Sequence, residues 1–113
     1  MKVYHNPRCS KSRQTLELIR SKGIEPEIIT YMDQGLTVEE LKDLIGKLGF
    51  QSARELMRRN EKDYKDQDLK NTNDEAKLIK AMSDFPRLIE RPIVVSGHQA
   101  VLGRPPENAL KLL

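Results

Sequence analysis

Tyr4-His5-Asn6-Pro7-Arg8-Cys9-Ser10-Lys11-Ser12-Arg13 lies near the N-terminus of a 113-residue chain and holds its only cysteine. The residues before it, Met1-Lys2-Val3-Tyr4, are β-prone, and those behind it, from Gln14 to Lys22, have the spacing of an amphipathic helix. A strand, a tight Asn-Pro turn and a helix in that order place the sulfur on the first turn of the helix. There the unpaired backbone N–H groups and the positive end of the dipole favour an anion. A thiolate is such an anion, so Cys9 is expected to be more acidic than an ordinary thiol. Arg8, Lys11, Arg13 and His5 are expected to add positive charge nearby. The usual fate of a lone cysteine is burial as a small hydrophobe, and this cationic neighbourhood is wrong for an apolar pocket.

The rest of the composition bounds what such a sulfur can do. The chain is 37% hydrophobic and 33% charged, which is globular, and its length suits one domain over residues 1–113. Its net charge of +3 is small and interspersed, and aromatics are scarce with no Trp, so neither a nucleic-acid groove nor a stacking platform is expected. No apolar run approaches the ~20 residues of a membrane span, and no signal-peptide pattern opens the chain, so a cytoplasmic, membrane-free protein is expected. A single cysteine forms no internal disulfide; redox chemistry at Cys9 needs a second thiol from another molecule. One cysteine and two distant histidines give no metal-ligand spacing.

Taken in order, Gly23 suits a helix C-cap, and Pro26-Glu27-Ile28-Ile29-Thr30-Tyr31 predicts a second strand, parallel to the first as in a βαβ unit. Thr37-Val38-Glu39-Glu40 is a capping-box pattern before a helix carrying Leu41, Leu44, Ile45 and Leu48 and ending at Gly49. A second box, Ser52-Ala53-Arg54-Glu55, predicts a shorter helix running towards Arg58-Arg59-Asn60. Residues 61–70 are polar and aperiodic, which predicts a loop. A third box, Thr72-Asn73-Asp74-Glu75, precedes a helix with Leu78, Ile79, Met82 and Phe85 on one face, stopped by Pro86. Ile93-Val94-Val95-Ser96 and Gln99-Ala100-Val101-Leu102 around Gly97-His98 read as a hairpin, and Pro106-Glu107 starts a last helix. The sum is α/β and thioredoxin-like: βαβ…ββα with a helical block inserted at approximately 37–85. It predicts a mixed four-stranded sheet with helices on both faces. Pro92, leading the third strand, is a cis candidate.

Tyr4-His5-Asn6-Pro7-x-Cys9, Ser12-Arg13, Leu56-Met57-Arg58-Arg59-Asn60, Arg91-Pro92-Ile93-Val94-Val95 and Gly103-Arg104-Pro105 occur in that order. Together they resemble the ArsC family, the glutaredoxin-dependent arsenate reductases, along effectively the whole chain. The resemblance implies that Cys9 attacks arsenate, that His5 helps lower its pKa, and that Arg58, Arg91 and Arg104, with Ser12, surround the oxyanion. It also implies a cis Pro92, glutathione as co-substrate with no tightly bound cofactor, and glutaredoxin as the partner that clears Cys9. Arg8 and Lys11 stand where the plasmid-encoded members carry smaller or uncharged residues.

Each residue also has a plainer reading. His5 can serve the turn as scaffold, Arg13 can pair with Glu17 one helical turn on, Ser10 can cap the helix, and Arg58 suits a helix C-terminus without any ligand. Other functions stay open. A glutathione-dependent thiol reductase or deglutathionylase would need Cys9 but not all three arginines. A non-enzymatic regulator of the Spx type normally has a Cys-x-x-Cys switch, and position 12 here is Ser12. A low-molecular-weight phosphatase loop requires an arginine six residues after its cysteine, and that position is Thr15.

Overall fold

The β-branched and aromatic residues after Met1 form strand β1, Lys2–Tyr4. The turn Asn6–Arg8 then leads into helix α1, Ser10–Ser21. Ser12, Thr15, Leu16 and Ile19 make its buried stripe at helical spacing. Strand β2 is Glu27–Ile29 and helix α2 is Tyr31–Gln34. The second strand is thus shorter than its sequence suggests, because Tyr31 starts a helical turn and is fully buried. Strands β3, Ile93–Ser96, and β4, Gln99–Leu102, form a hairpin around Gly97, which has a positive φ of 61°. The computed structural model describes every residue, 1–113.

Residues 1–33 and 91–113 make one compact unit and residues 34–90 another. In the first unit the four strands form one mixed sheet in the order β2-β1-β3-β4. β1 pairs with β2 in parallel and with β3 antiparallel. This is the α/β, thioredoxin-like arrangement. One face packs Val3, Val94 and Val101 against Ile19 of α1 and against Ala109 and Leu112 of the C-terminal segment. That segment, Pro106–Leu112, is a 3-10 helix and not the α-helix its leucines suggest; it buries Pro106 and Ala109 and leaves Leu110 exposed.

The second unit contains helices α3, Val38–Leu48, α4, Lys62–Asp66, and α5, Glu75–Asp84. Leu41 and Leu44 of α3 and Leu78 and Met82 of α5 are almost completely buried. The Thr37 box forms, and Gly49 closes α3 at a φ of 73°. The Ser52 box also forms, but it opens only the 3-10 turn Ala53–Leu56. The expected helix towards Arg58-Arg59-Asn60 does not continue, because the backbone finds other partners. The Leu56 carbonyl accepts from the Glu90 N–H, and the Arg58 N–H donates to the Leu88 carbonyl at 2.7 Å. Met57 is extended and bridges Ile89.

The segment 61–70 is not a loop. It folds as α4 followed by the 3-10 turn Leu69–Asn71, each held by one buried residue, Tyr64 and Leu69. Arg54 ties them together by donating to the Tyr64 hydroxyl and to the Leu69 and Thr72 carbonyls. One anchor per short turn leaves no periodic signature. The third box also differs: Asp74 caps α5 by accepting from the Ala76 N–H at 2.9 Å. Glu75 instead accepts from the Ser52 hydroxyl and the Ala53 N–H, at 2.8 and 2.7 Å. α5 ends at Asp84, and Pro86 begins the 3-10 turn Pro86–Leu88. No helix is long and apolar enough to cross a membrane.

Candidate active site around Cys9

Strand register decides which residues share an edge with Cys9. β1 and β2 are parallel, so Tyr4 and Ile29 are opposite each other where both strands end. β3 starts there, with Ile93 opposite Tyr4, and β4 ends there, with Leu102 opposite Ile93. The turn before α1, the segment 30–33, Arg91 and Arg104 therefore leave the sheet at one edge. It is the carboxyl edge of the parallel pair, where α/β sheets gather ligands.

Cys9 occupies the N-cap of α1 with extended backbone, φ −95° and ψ 123°. Its carbonyl accepts the first helical bond, from the Arg13 N–H at 3.0 Å. No side chain caps this helix, and no acidic residue stands in its first turn. Ser10, expected as a cap, is instead the first helical residue and is exposed. The open amides act on the sulfur. Burial pushes the Cys9 thiol up, but the Ser12 N–H, the Arg91 guanidinium and the Lys11 N–H outweigh it. The thiol pKa is therefore lowered from its ordinary 9.0.

The sequence places four cationic side chains around the sulfur, and the structure uses a different set. Arg8, Arg13, His5 and the Lys11 side chain are not among the groups that lower the thiol; Arg91 is the one cation that does so. Arg13 donates to the Pro7 carbonyl at 2.8 Å in place of the anticipated Glu17 pairing, bracing the turn. His5 is buried, and burial together with repulsion from Arg20 and Arg13 lowers its pKa below 6.5. It is neutral at pH 7 and supplies no charge.

What His5 does instead is hold Ser12. Its Nδ1 lies 2.7 Å from Ser12 Oγ, and the same oxygen accepts from the Asn6 N–H at 3.1 Å. Ser12 is fully buried. Its hydroxyl is engaged by the turn, so it faces His5 and Asn6 while its amide faces the sulfur. The Asn6 Oδ1 accepts from the Arg8 N–H at 3.0 Å, completing a closed turn. The expected Asn-Pro turn thus forms through ordinary Asn chemistry, a side-chain acceptor two residues before the N–H that it meets.

Arg91 reaches the site from the residue before Pro92. The Arg91–Pro92 peptide is cis, and so is Arg104–Pro105, which nothing in the sequence had marked. The Arg91 Nε is buried and has no hydrogen-bond partner. Arg104 is exposed at the same sheet edge, and its carbonyl accepts from Asn108 Nδ2 at 3.2 Å. Gly103, beside it, is held to α1: the Thr15 hydroxyl lies 2.8 Å from the Lys11 carbonyl and 3.1 Å from the Gly103 carbonyl. Arg58 belongs to the 34–90 unit, where its Nε donates to Glu61 Oε1 at 3.1 Å. It lies beyond a 3-10 turn and not at a helix C-terminus.

The chain is 49% identical to a protein of Escherichia coli K12 named YfgD, over 100% of this chain and 96% of that one. It is 46% identical to an arsenate reductase of Haemophilus influenzae, over 98% and 97%. Among solved structures, an arsenate reductase from Vibrio cholerae superposes with a TM-score of 0.96 at 47% identity, covering 100% of this chain and 98% of that one. The model of the ArsC family matches residues 4–112. An edge-mounted cysteine at an uncapped helix start, in a chain matched by that model almost end to end, makes this protein a member of the ArsC family.

Proposed function

We propose that the protein reduces arsenate to arsenite, with Cys9 as nucleophile, glutathione as reductant and glutaredoxin as the partner that restores the thiol. The observation that carries this reading is the pairing of an acidified sulfur at an open helix start with Arg91, whose buried Nε has no acceptor. A buried N–H without a partner is costly, and an oxyanion bonded to the guanidinium removes that cost. Arginine suits the task because its planar fork donates parallel hydrogen bonds and keeps its charge. Relatives across the whole chain are named arsenate reductases.

In the first step the Cys9 thiolate attacks arsenic(V), forming an S–As bond and releasing one oxygen as water after protonation. Arg91, Arg104 and the open amides of α1 neutralise the oxyanion so that two negative partners can approach. Glutathione then attacks Cys9 Sγ. An S–S bond forms, the S–As bond breaks, and its electron pair leaves with arsenic, now arsenic(III). The glutathione proton goes to the departing arsenite. A glutaredoxin thiolate attacks the glutathione sulfur of the mixed disulfide and frees Cys9, which has no second cysteine to resolve it.

The test is NADPH consumption in the presence of arsenate, glutathione, glutathione reductase and glutaredoxin. Arsenate-dependent oxidation that requires both glutathione and glutaredoxin is the expected result. Its absence, with the protein still folded and Cys9 alkylatable, would leave a thiol reductase or deglutathionylase acting on another substrate.

A further inference from the structure

The turn carrying Cys9 has a second flank. A cavity of about 380 Å³ lies beside it, lined by Asn6, Pro7, Arg8, Thr30, Met32 and Asp33. β1 runs between β2 and β3. Arg91, which leads into β3, stands on one side of β1; residues 30–33, which follow β2, stand on the other. The cavity is on the side of β1 away from Arg91.

Its lining contains one guanidinium and one carboxylate, Arg8 and Asp33, both exposed. Neither takes part in an ion pair of the chain. Both are fixed at the backbone. The Arg8 N–H donates to Asn6 Oδ1 at 3.0 Å, and the Asp33 N–H donates to the Thr30 carbonyl at 3.0 Å. A cation and an anion without internal partners, on one cavity with an apolar wall from Pro7 and Met32, suit a zwitterion. Its carboxylate meets the guanidinium and its ammonium meets the carboxylate. The volume falls within the ordinary range for small-molecule sites.

We infer that this cavity binds the thiol co-substrate, seating the zwitterionic γ-glutamyl end of glutathione on Arg8 and Asp33. The catalytic use of the site rests on the reductase reading given above. The chemistry of the second step asks for such a placement. A thiolate that displaces arsenite from Cys9 Sγ must approach in line with the breaking S–As bond, from the side opposite arsenic. Arg91 holds the leaving oxyanion on one side of β1, so the attacking sulfur comes from the other. There Arg8, adjacent to Cys9 in the chain, borders the cavity.

S-methylglutathione, which cannot react, is the probe. Titrated into the wild-type protein, it is expected to give saturable backbone amide shifts centred on residues 6–8 and 30–33. Arg8→Ala and Asp33→Asn should each weaken binding by about fivefold, the scale of one exposed ion pair. Asp33→Asn should also lose the preference for S-methylglutathione over its des-amino analogue, a preference that Arg8→Ala keeps. In turnover, kcat/KM for glutathione should fall in both variants, while the affinity for arsenate measured without glutathione stays as in the wild type, because the oxyanion binds on the Arg91 side of β1 before glutathione arrives. Shifts centred elsewhere, or wild-type affinity in both variants, overturn the assignment. Charge-dependent binding without any arsenate turnover would refute the reductase reading and leave the site standing. Turnover whose glutathione dependence ignores both substitutions would refute the site alone.

Discussion

Two helices of nearly equal length start in opposite ways. α3 is closed by its own side chains: Thr37 Oγ1 accepts from the Glu40 N–H at 3.1 Å, and Glu40 Oε1 accepts from the Thr37 N–H at 3.2 Å. Glu39 and Glu40 also set negative charge against its dipole. α1 has none of this. Its N-cap is a cysteine without a capping bond, and its first turn contains no acid. The contrast separates two uses of one physical feature. The free amides of a helix start stabilise the fold when the chain supplies their acceptors, and they stabilise a bound or ionised anion when it does not.

Cys9→Ser should show the contrast most strongly. Arsenate turnover should fall to background. Serine is also a far better N-cap, so urea denaturation should find the variant more stable by about 1 kcal/mol. A variant that is inactive but no more stable would mean that α1 is not held open at a cost in stability.

Arg91→Ala should come next. Removing the one guanidinium that reaches the sulfur is expected to lower kcat/KM for arsenate by about 10²–10³-fold, the usual effect of deleting one charge-stabilising donor. It should also move the pH midpoint of Cys9 alkylation up towards the ordinary thiol value of 9.0. An unchanged midpoint would leave the helix amides as the sole source of acidity.

The position of the open helix depends on Gly103. A Cβ there would lie 2.6 Å from Thr15 Oγ1, 2.8 Å from Thr15 Cγ2 and 2.7 Å from Pro92 Cγ. Gly103→Ala should destabilise by about 1–3 kcal/mol, the cost of overpacking. Two of those three atoms belong to Thr15, so adding Thr15→Ala should recover part of the loss. At the closed helix, Thr37→Ala should cost about 1 kcal/mol and leave Cys9 alkylation unchanged.

The same contrast explains what the sequence could convey. The open end of α1 was readable because strand, turn and helix follow one another directly, and a cysteine where a cap is due is a local signal. The Thr37 box was readable for the same reason. Partners distant in sequence were not. Glu75, three residues after Thr72, looks like half of a local box but satisfies Ser52 and Ala53, 23 and 22 residues back. Arg58 reads locally as a helix end, but the Leu88 carbonyl, 30 residues on, takes its N–H. The cations near Cys9 in sequence are misleading in the same way, because charge in sequence carries no direction. Arg13 turns to Pro7, His5 is neutralised by burial, and the effective cation, Arg91, comes from the far end of the chain. Ser12 was legible as polar and close to the sulfur, but its hydroxyl belongs to His5 and only its amide to Cys9.

The smallest expected effect is a dependence of stability on pH that only the open end produces. Native Cys9 loses its proton below 9.0, the value of a free thiol. Between its native pKa and 9.0 the unfolded chain holds the extra proton, so stability rises with pH there and is lost as pH falls through the native value. His5 gives a second window of the same sign. Its native pKa lies below 6.5, so from 6.5 downward the unfolded chain takes up a proton that the buried ring resists, and stability falls again. Denaturation free energies should therefore decline on acidification, with an upper step from Cys9 that begins at 9.0 and a lower one from His5 that begins at 6.5. Cys9→Ser should erase the upper step and keep the lower, because His5 is held by burial and not by the sulfur. An upper step that survives in Cys9→Ser would have to come from another group, and the open amides of α1 would then have no ionised partner to explain.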